Sequence, residues 1–564
     1  MAFFQNQNDV ETRLCTAVND AIRVRDDNQL RSIVLLEPPF PPDHEELIQS
    51  LRSKYPANDH SAVKLEQMVR RVVTETAESE DEQGRPVQGW GAMVVFLVQW
   101  MTFLRDMDIE NLLHTYQQLN ELQKQAQTAL SHPTKGVLML PTIISYARVF
   151  SRIAIGLDKR PELIQHLLAV TEEGKRESLP EKAANVVREA FTTCLNDRNT
   201  VPGGVDRNGK PDGKKIGIYK MANICLRILF QADKLESCEG IFTNIDSTSP
   251  PLHIYPASER VTYLYYLGRY YFANTEFYTA QLALQKAYED CPSAPQSIRQ
   301  RRLILVYLVT ANLILGRFPT EEIYNLPEAK DFRKHFKPIT EAIRQGNLEA
   351  FRRITNLDLT HPSAEWLSHY RVFYQIGNYC EVLVWRSLFR KVFLLSGQQT
   401  GGAVSNLAAT LDLNAVLLAF EFCERRAKIK NPAMAAQDLG PGRSNQGHLF
   451  QDYASTTRAT YIDPDFAGVE DIAPYDHEMD LLEIECICGS LLTQGFLGGY
   501  ISHKSQKVAI ASSKRLGGPM KAGFPNPWEV IRSKNNDEVK GWKMDFRIEQ
   551  PKVVNMSGAR PAGA

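Results

Sequence analysis

The chain has 564 residues, 43% of them hydrophobic, which leaves room for two to four domains with buried cores. Its 65 basic and 66 acidic side chains give a formal charge of -1, which excludes a histone-like polycation, so any contact with nucleic acid must come from a local patch. Nine cysteines sit in mostly apolar helical contexts without C-x-x-C pairs, a usage that suits the reducing cytosol or nucleus rather than a disulfide-built secreted domain.

The opening MAFFQNQNDVETRL lacks the charged start and apolar run of a secretory signal. Residues 1–85 read as an N-terminal section of short amphipathic helices, 10–24 and 45–55 among them, joined by the Pro-rich EPPFPP at 37–42 and closed by an acidic run at 78–82. The best membrane candidate, WGAMVVFLVQWMTFL at 90–104, is interrupted by Gln99 and Thr102 and falls short of the roughly 18 to 20 residues that span a bilayer. It is expected to be a buried core helix, and no membrane contact is predicted. Dense apolar periodicity continues to about 130, over 140–157 and over 181–195. Helix following helix without an alternating strand pattern predicts an α-solenoid over 86–395 rather than a doubly wound sheet.

The break at 196–215, DRNTVPGGVDRNGKPDGKK with its flanks, holds Gly204, Gly209 and Lys210 at the spacing of a phosphate-binding loop. Pro211 stands where a metal-binding Ser or Thr belongs, and no buried strand precedes it, so a flexible basic loop is expected. Asp206 and Asn208 lack the glycine and closing glutamate of a calcium loop. Helices are predicted at 218–230 and 235–245, followed by the most regular stretch of the chain, 260–318. Leu267, Gly268 and Tyr271 fall on the first-helix positions of the 34-residue helix-turn-helix repeat, Ala280 and Ala287 on its second-helix small positions, and Pro292 at its exit. Leu303, Val306, Tyr307, Thr310, Leu313 and Ile314 then recur at three-and-four spacing until Gly316 stops the next helix. Further helical texture at 337–354 leads to a long apolar helix over 366–395, with Gly377 as a packing point or break.

After Gly397 the pattern changes. Compact helices at 411–423 and 481–493 are followed by two short strands, 496–501 and 508–511, with a turn at 503–506. That order predicts a C-terminal winged helix over 396–520, carrying an insert at 427–477 rich in Gly, Pro and Asp, and then a tail over 521–564. In such a module the second long helix can enter a nucleic-acid groove and the hairpin can ride over a phosphate backbone, although the same surfaces also pack on protein. Residues 498–521 contain Lys504, Lys507, Lys514, Arg515 and Lys521 and no Asp or Glu, whereas 451–480 holds eight acids and only Arg458. Clustered cations of this kind neutralise phosphates and release counterions. Cys486 and Cys488, two apart on a helix, diverge and lack a second ligand pair, so no metal is predicted. No H-E-x-x-H, G-x-S-x-G or kinase signature is present, and neither enzyme activity nor a cofactor is expected.

An all-α solenoid of TPR-like hairpins running into a terminal winged helix resembles the PCI domain. The segments KKIGIYKMANICLRILF at 214–230, RVTYLYYLGRYYF at 260–272, RRLILVYLVTANLILGRFPT at 301–320, WRSLFRKVFLL at 385–395 and ECICGSLLTQGFLGGYISH at 485–503 are similar to one branch of that family. The branch holds the PCI subunit of the TREX-two messenger-RNA export complex and the twelfth-subunit homologues of the COP-nine signalosome. The resemblance implies a nuclear scaffold, with the cytoplasm as a second location, that couples transcription elongation to messenger-RNA processing and export. It implies pairing with a larger PCI or Sac-type scaffold protein, a small acidic Sem-one-like partner, and RNA or DNA bound through the winged helix. Carried over by position, His503, Lys504, Lys507, Lys514 and Arg515 are the candidate nucleic-acid contacts, and Arg386, Arg390 and Lys391 the candidate contacts for the acidic partner. The alternative within the branch is an architectural signalosome-associated subunit that never touches nucleic acid.

Overall fold

Capping side chains and apolar stripes turn most of this chain into helix, and contacts among the helices divide it into two units, residues 1–270 with 539–564, and residues 271–538. The computed structural model describes residues 9–80, 86–108, 110–164, 178–355, 361–398, 408–427, 479–511 and 515–543. The division falls at 270/271, inside a helix.

The first unit begins with α1 (Val10–Val24), α2 (Asp27–Ile33), α3 (Pro42–Lys54) and α4 (Asp59–Val72). Asp26 caps α2 by accepting from the backbone of Asn28 and Gln29, and Asn58 caps α4 by accepting from Ser61, which satisfies amides that the first turn leaves unpaired. A two-residue strand pair, β1 (Ser79–Glu80) and β2 (Pro86–Val87), precedes α5 (Gly91–Asp106), α6 (Leu112–Leu130) and α7 (Leu140–Asp158). The membrane candidate is α5. Met93, Phe96, Leu97, Trp100 and Leu104 are completely buried in it, and the Trp100 indole N–H donates to the Leu35 carbonyl at 2.8 Å. The stretch Gly136–Asp158 is long and apolar enough to cross a bilayer, but 67% of its most apolar 18 residues is buried inside the protein, as a core helix requires. The short α8 (Pro161–Ile164) is followed by α9 (Leu179–Leu195), α10 (Ile218–Gln231), α11 (Glu239–Thr248) and α12 (Ala257–Ala273). Here Tyr219 makes edge contacts with Tyr255 and Tyr263 at 4.5 and 4.8 Å, and the Tyr263 hydroxyl donates to the Gly541 carbonyl at 2.6 Å. Residues 539–543 are thereby tied into the first unit.

The second unit continues the hairpin pattern with α13 (Phe277–Asp290), α14 (Ile298–Ile314), α15 (Glu321–Tyr324), α16 (Phe332–Gln345) and α17 (Leu348–Thr355). Ala280 and Ala287, the small positions that the repeat register assigns, are fully buried on α13, and Ala283 between them is buried as well. Ala280→Trp should therefore overpack this unit and cost about 1–3 kcal/mol, and a calorimetric melt superimposable on the parent's would contradict the register. Gly346 ends α16 at φ 64, and a Cβ there would lie 2.6 Å from the Leu388 backbone nitrogen, so only glycine lets this turn approach the neighbouring helix.

The long helix expected over 366–395 is two. They are α18 (Ala364–His369) and α19 (Phe373–Ser396), separated at Arg371, whose φ is 56. Gly377, expected as a packing point or break, lies inside α19 and breaks nothing, and a Cβ there would meet Thr355 at ordinary contact distance. The winged helix then follows as α19, β3 (Ala409–Asp412), α20 (Leu413–Ala427), α21 (Leu481–Gln494), β4 (Tyr500–Ser502) and β5 (Lys507–Ile510). Its sheet is antiparallel in the order β3-β5-β4. Strand β3 corrects the sequence reading, which ran a helix from 411. Ala409 and Leu411 face inward while Thr410 and Asp412 stay partly exposed, a period of two hidden within a nearly continuous apolar run.

A second correction concerns the segment read as tail. Residues Pro519–Gly523 and Pro527–Lys534 form α22 and α23. Gly498 N–H donates to the Gly523 carbonyl at 2.9 Å, Phe524 meets Phe393 at 5.7 Å between ring centroids, and Trp528 stacks on Tyr278 of α13 at 5.7 Å. Arg317 lies 4.5 Å from the centre of the Trp528 ring, and the Tyr278 hydroxyl donates to Asp537 at 2.6 Å. This strap fastens the winged helix to the hairpins of its own unit. The insert at 427–477 lies outside the described residues, apart from Ala427 at the end of α20.

Candidate winged-helix interface

The wing is a short hairpin whose turn is a helical twist at His503–Ser505 closed by Gln506 in the left-handed region, φ 52. The first strand is shorter than expected, three residues in place of six, because Phe496 and Leu497 are consumed in ending α21. Both donate their backbone N–H to the Leu491 carbonyl, with Gly495 in the left-handed cap position. Lys504 stands exposed on the turn, and Arg515 is exposed beyond β5. Lys507 is half-buried on β5, flanked in register by Ser502 on one side and Asp412 on the other. Among the described residues Lys504, Lys507, Arg515 and Lys521 form no ion pair; Lys514 lies outside them.

His503 has an acidic neighbour. Its side chain is 77% exposed, but the ring Nδ1 sits 2.9 Å from Oε2 of Glu485 on α21. The sequence reading found no acid between 498 and 521 and so treated the wing as purely cationic. Glu485 and Asp412 reach it from other elements, and only the sheet order and the packing of α21 bring them there.

Helix α21 starts with a capping box, in which Asp480 accepts from the Glu483 backbone and Glu483 accepts from the Asp480 backbone. The helix contains no Lys or Arg. Its exposed positions include Leu482, at 70%, and Cys486, while Cys488 is turned inward, where burial pushes its thiol up to about 12. A helix with this outer face has no cation to offer phosphates and an apolar surface to offer protein. Leu418 of α20, Leu394 and Leu395 of α19, and Tyr500 of β4 are also strongly exposed.

The three candidates for the acidic partner divide. Arg390 and Lys391 are exposed on α19. The Arg386 guanidinium instead donates to the carbonyls of Phe524 and Pro525 at 2.9 and 2.6 Å, and burial, helped by Arg390, pushes its pKa down to about 10. Arg386 is therefore taken up as the clasp of the strap. A sequence cannot show this, because its acceptors are backbone atoms 138 and 139 positions away.

No family model matches the chain. A PCI domain-containing protein of Schizosaccharomyces pombe is 24% identical to it over 447 residues, 78% of this chain and 82% of the relative. PCI domain-containing protein 2 of Xenopus laevis is 26% identical over 344 residues, 60% of this chain, and the match spans 64% of that relative. A CSN12 homologue of Neurospora crassa is 26% identical over 229 residues, covering 40% of this chain and 46% of its own length. These relatives support the PCI branch to which the sequence motifs point.

Proposed function

We infer that this chain, a PCI-domain protein of the branch holding those relatives, is a non-enzymatic scaffold subunit of a nuclear complex that couples transcription elongation to messenger-RNA processing and export. The observation that carries the reading is the division of labour on the winged helix. Its helices expose Leu394, Leu395, Leu418 and Leu482, which suits a protein partner such as a larger PCI or Sac-type scaffold, while the wing and its exit carry Lys504, Lys507 and Arg515, which form no ion pair among the described residues. RNA or DNA would then run along Lys504, Lys507, Lys514 and Arg515, with His503 at the rim. The small acidic partner would meet Arg390 and Lys391, not Arg386.

Reversing Lys504, Lys507, Lys514 and Arg515 to glutamate is expected to abolish RNA binding by the purified partner complex and leave its assembly intact. Each cation withdrawn from a phosphate should flatten the log-affinity against log-salt slope by about 0.7 for a single strand. Undiminished affinity in the reversed variant would remove the wing as the site. The relative named as a CSN12 homologue favours a second reading, an architectural signalosome-associated subunit without nucleic-acid contact. Affinity purification of the tagged native protein separates them by whether export-complex or signalosome subunits accompany it.

A further inference from the structure

Away from the winged helix, the loop rejected as a nucleotide fold does build a site of another kind. Asp197, Arg198 and residues 200–204, which follow the end of α9, together with Lys215, Lys543 and the end of α11, line a half-open pocket of about 380 Å³ on the first unit. That volume lies within the range of small-molecule sites. Arg198, Lys215 and Lys543 line it against one carboxylate, Asp197. The hydroxyl-bearing Thr200, Thr248 and Ser249 complete the polar wall.

Lys215 makes the cavity unusual. It is only 9% exposed, and among the described residues its ammonium forms no ion pair; it donates to the Leu195 carbonyl at 3.1 Å, one bond for a group with three donors. Burial lowers its pKa, with Asp197 opposing, which marks an ammonium whose lost hydration is incompletely replaced. The Asp197 carboxylate is itself engaged by the backbone, accepting from Asn199 at 3.3 Å and Lys214 at 2.9 Å. The lysine stem is threaded closely past the loop. Gly204, at φ 70, lies against it so tightly that a Cβ there would come 2.3 Å from Lys215 Cδ. Lys543, whose ammonium also reaches the Asp246 and Ser247 carbonyls, adds a second cation, and Arg198 stands exposed at the loop.

We propose that this cavity binds a small phosphate-bearing anion. Three cations lining one pocket with a single, already engaged carboxylate suit a dianion, and a phosphate offers the several acceptor oxygens that the remaining ammonium and guanidinium donors require. The site is independent of the winged-helix reading, since every residue in it belongs to the first unit.

The test uses the full chain at low salt, titrated with pyrophosphate, with sodium chloride at matched ionic strength as the control. The melting temperature of the first unit should rise with pyrophosphate concentration as ligand linkage requires, with an apparent Kd below about 1 mM. Arg198→Ala and Lys543→Met should each weaken binding by about tenfold, and Lys215→Met, which keeps the stem but not the charge, should abolish it. If Lys215→Met does not fold, the exposed Arg198 variant and the Lys543 variant still decide. A rise no larger than that from matched chloride, or one unchanged in the Arg198 and Lys543 variants, overturns the proposal. A rise produced by an RNA oligonucleotide but not by pyrophosphate would also overturn it, by giving the site to nucleic acid.

Discussion

Glu328→Ala is expected to destabilise the second unit by about 3–5 kcal/mol, because it leaves a buried guanidinium without its counter-charge. The Arg301 and Glu328 side chains are only 11% and 4% exposed, with Nε to Oε1 at 2.7 Å. The Tyr288 hydroxyl donates to the same carboxylate oxygen at 2.6 Å, the Arg301 guanidinium lies 4.0 Å over the Tyr288 ring centre, and its Nη1 donates to the Cys291 carbonyl at 2.7 Å. Four positions spread over α13, α14 and the turn at Pro327–Ala329 thus share one network. Burial alone would raise the Glu328 carboxyl, but the hydrogen bonds from Tyr288 and Arg301 outweigh it and hold the group below its ordinary value of 4.5. Its contribution is therefore present above about pH 4.5 and lost as pH falls through the lowered folded value. At roughly 2–4 °C per kcal/mol for a unit of this size, the alanine variant should melt on the order of 10 °C lower by calorimetry. An Arg301→Met, Glu328→Leu double variant should recover much of the loss. A single variant within about 1 kcal/mol of the parent would show that the network contributes little.

Arg386→Ala should cost about 2–3 kcal/mol and free the strap, since two charge-assisted bonds to the Phe524 and Pro525 carbonyls disappear together. Limited proteolysis then ought to cut between 515 and 538 well before the parent is cut there. The paired reversal Arg390→Glu, Lys391→Glu touches only exposed groups and should shift stability by less than about 0.5 kcal/mol. If that reversal releases an acidic partner while Arg386→Ala alone leaves it bound, the cationic face of α19 is the docking surface and Arg386 is its internal anchor. A strap equally protected in both variants would refute the clasp.

Much of this architecture was legible in local pattern. Ala280 and Ala287 are small because two helices must approach there, and the spacing of Leu303, Val306, Thr310 and Leu313 announced α14 from side-chain periodicity alone. The wing and its helix were legible too, because Gly495 stops the helix and a short strand-turn-strand pattern follows it directly. Strand β3 was not. Its four residues run directly into the apolar start of α20, and nothing local distinguishes a buried short strand from the first turn of a helix.

Charge was the least readable property. Counting cations along 498–521 located Lys504, Lys507 and Arg515, but the field at the wing also depends on Glu485 and Asp412, which lie outside that window. The same reasoning placed Arg386 on the surface, since its place in the helix looks like that of Arg390 one turn later. Composition, periodicity and turn chemistry act over a few residues, and they alone determined a helical chain ending in a winged helix with a basic hairpin. Which cations stay free, which become clasps or line a cavity, and where the chain divides depend on groups hundreds of positions apart. Only the packed structure settles those distances, because desolvation and hydrogen bonding are set by spatial neighbours and leave no local trace in the order of residues.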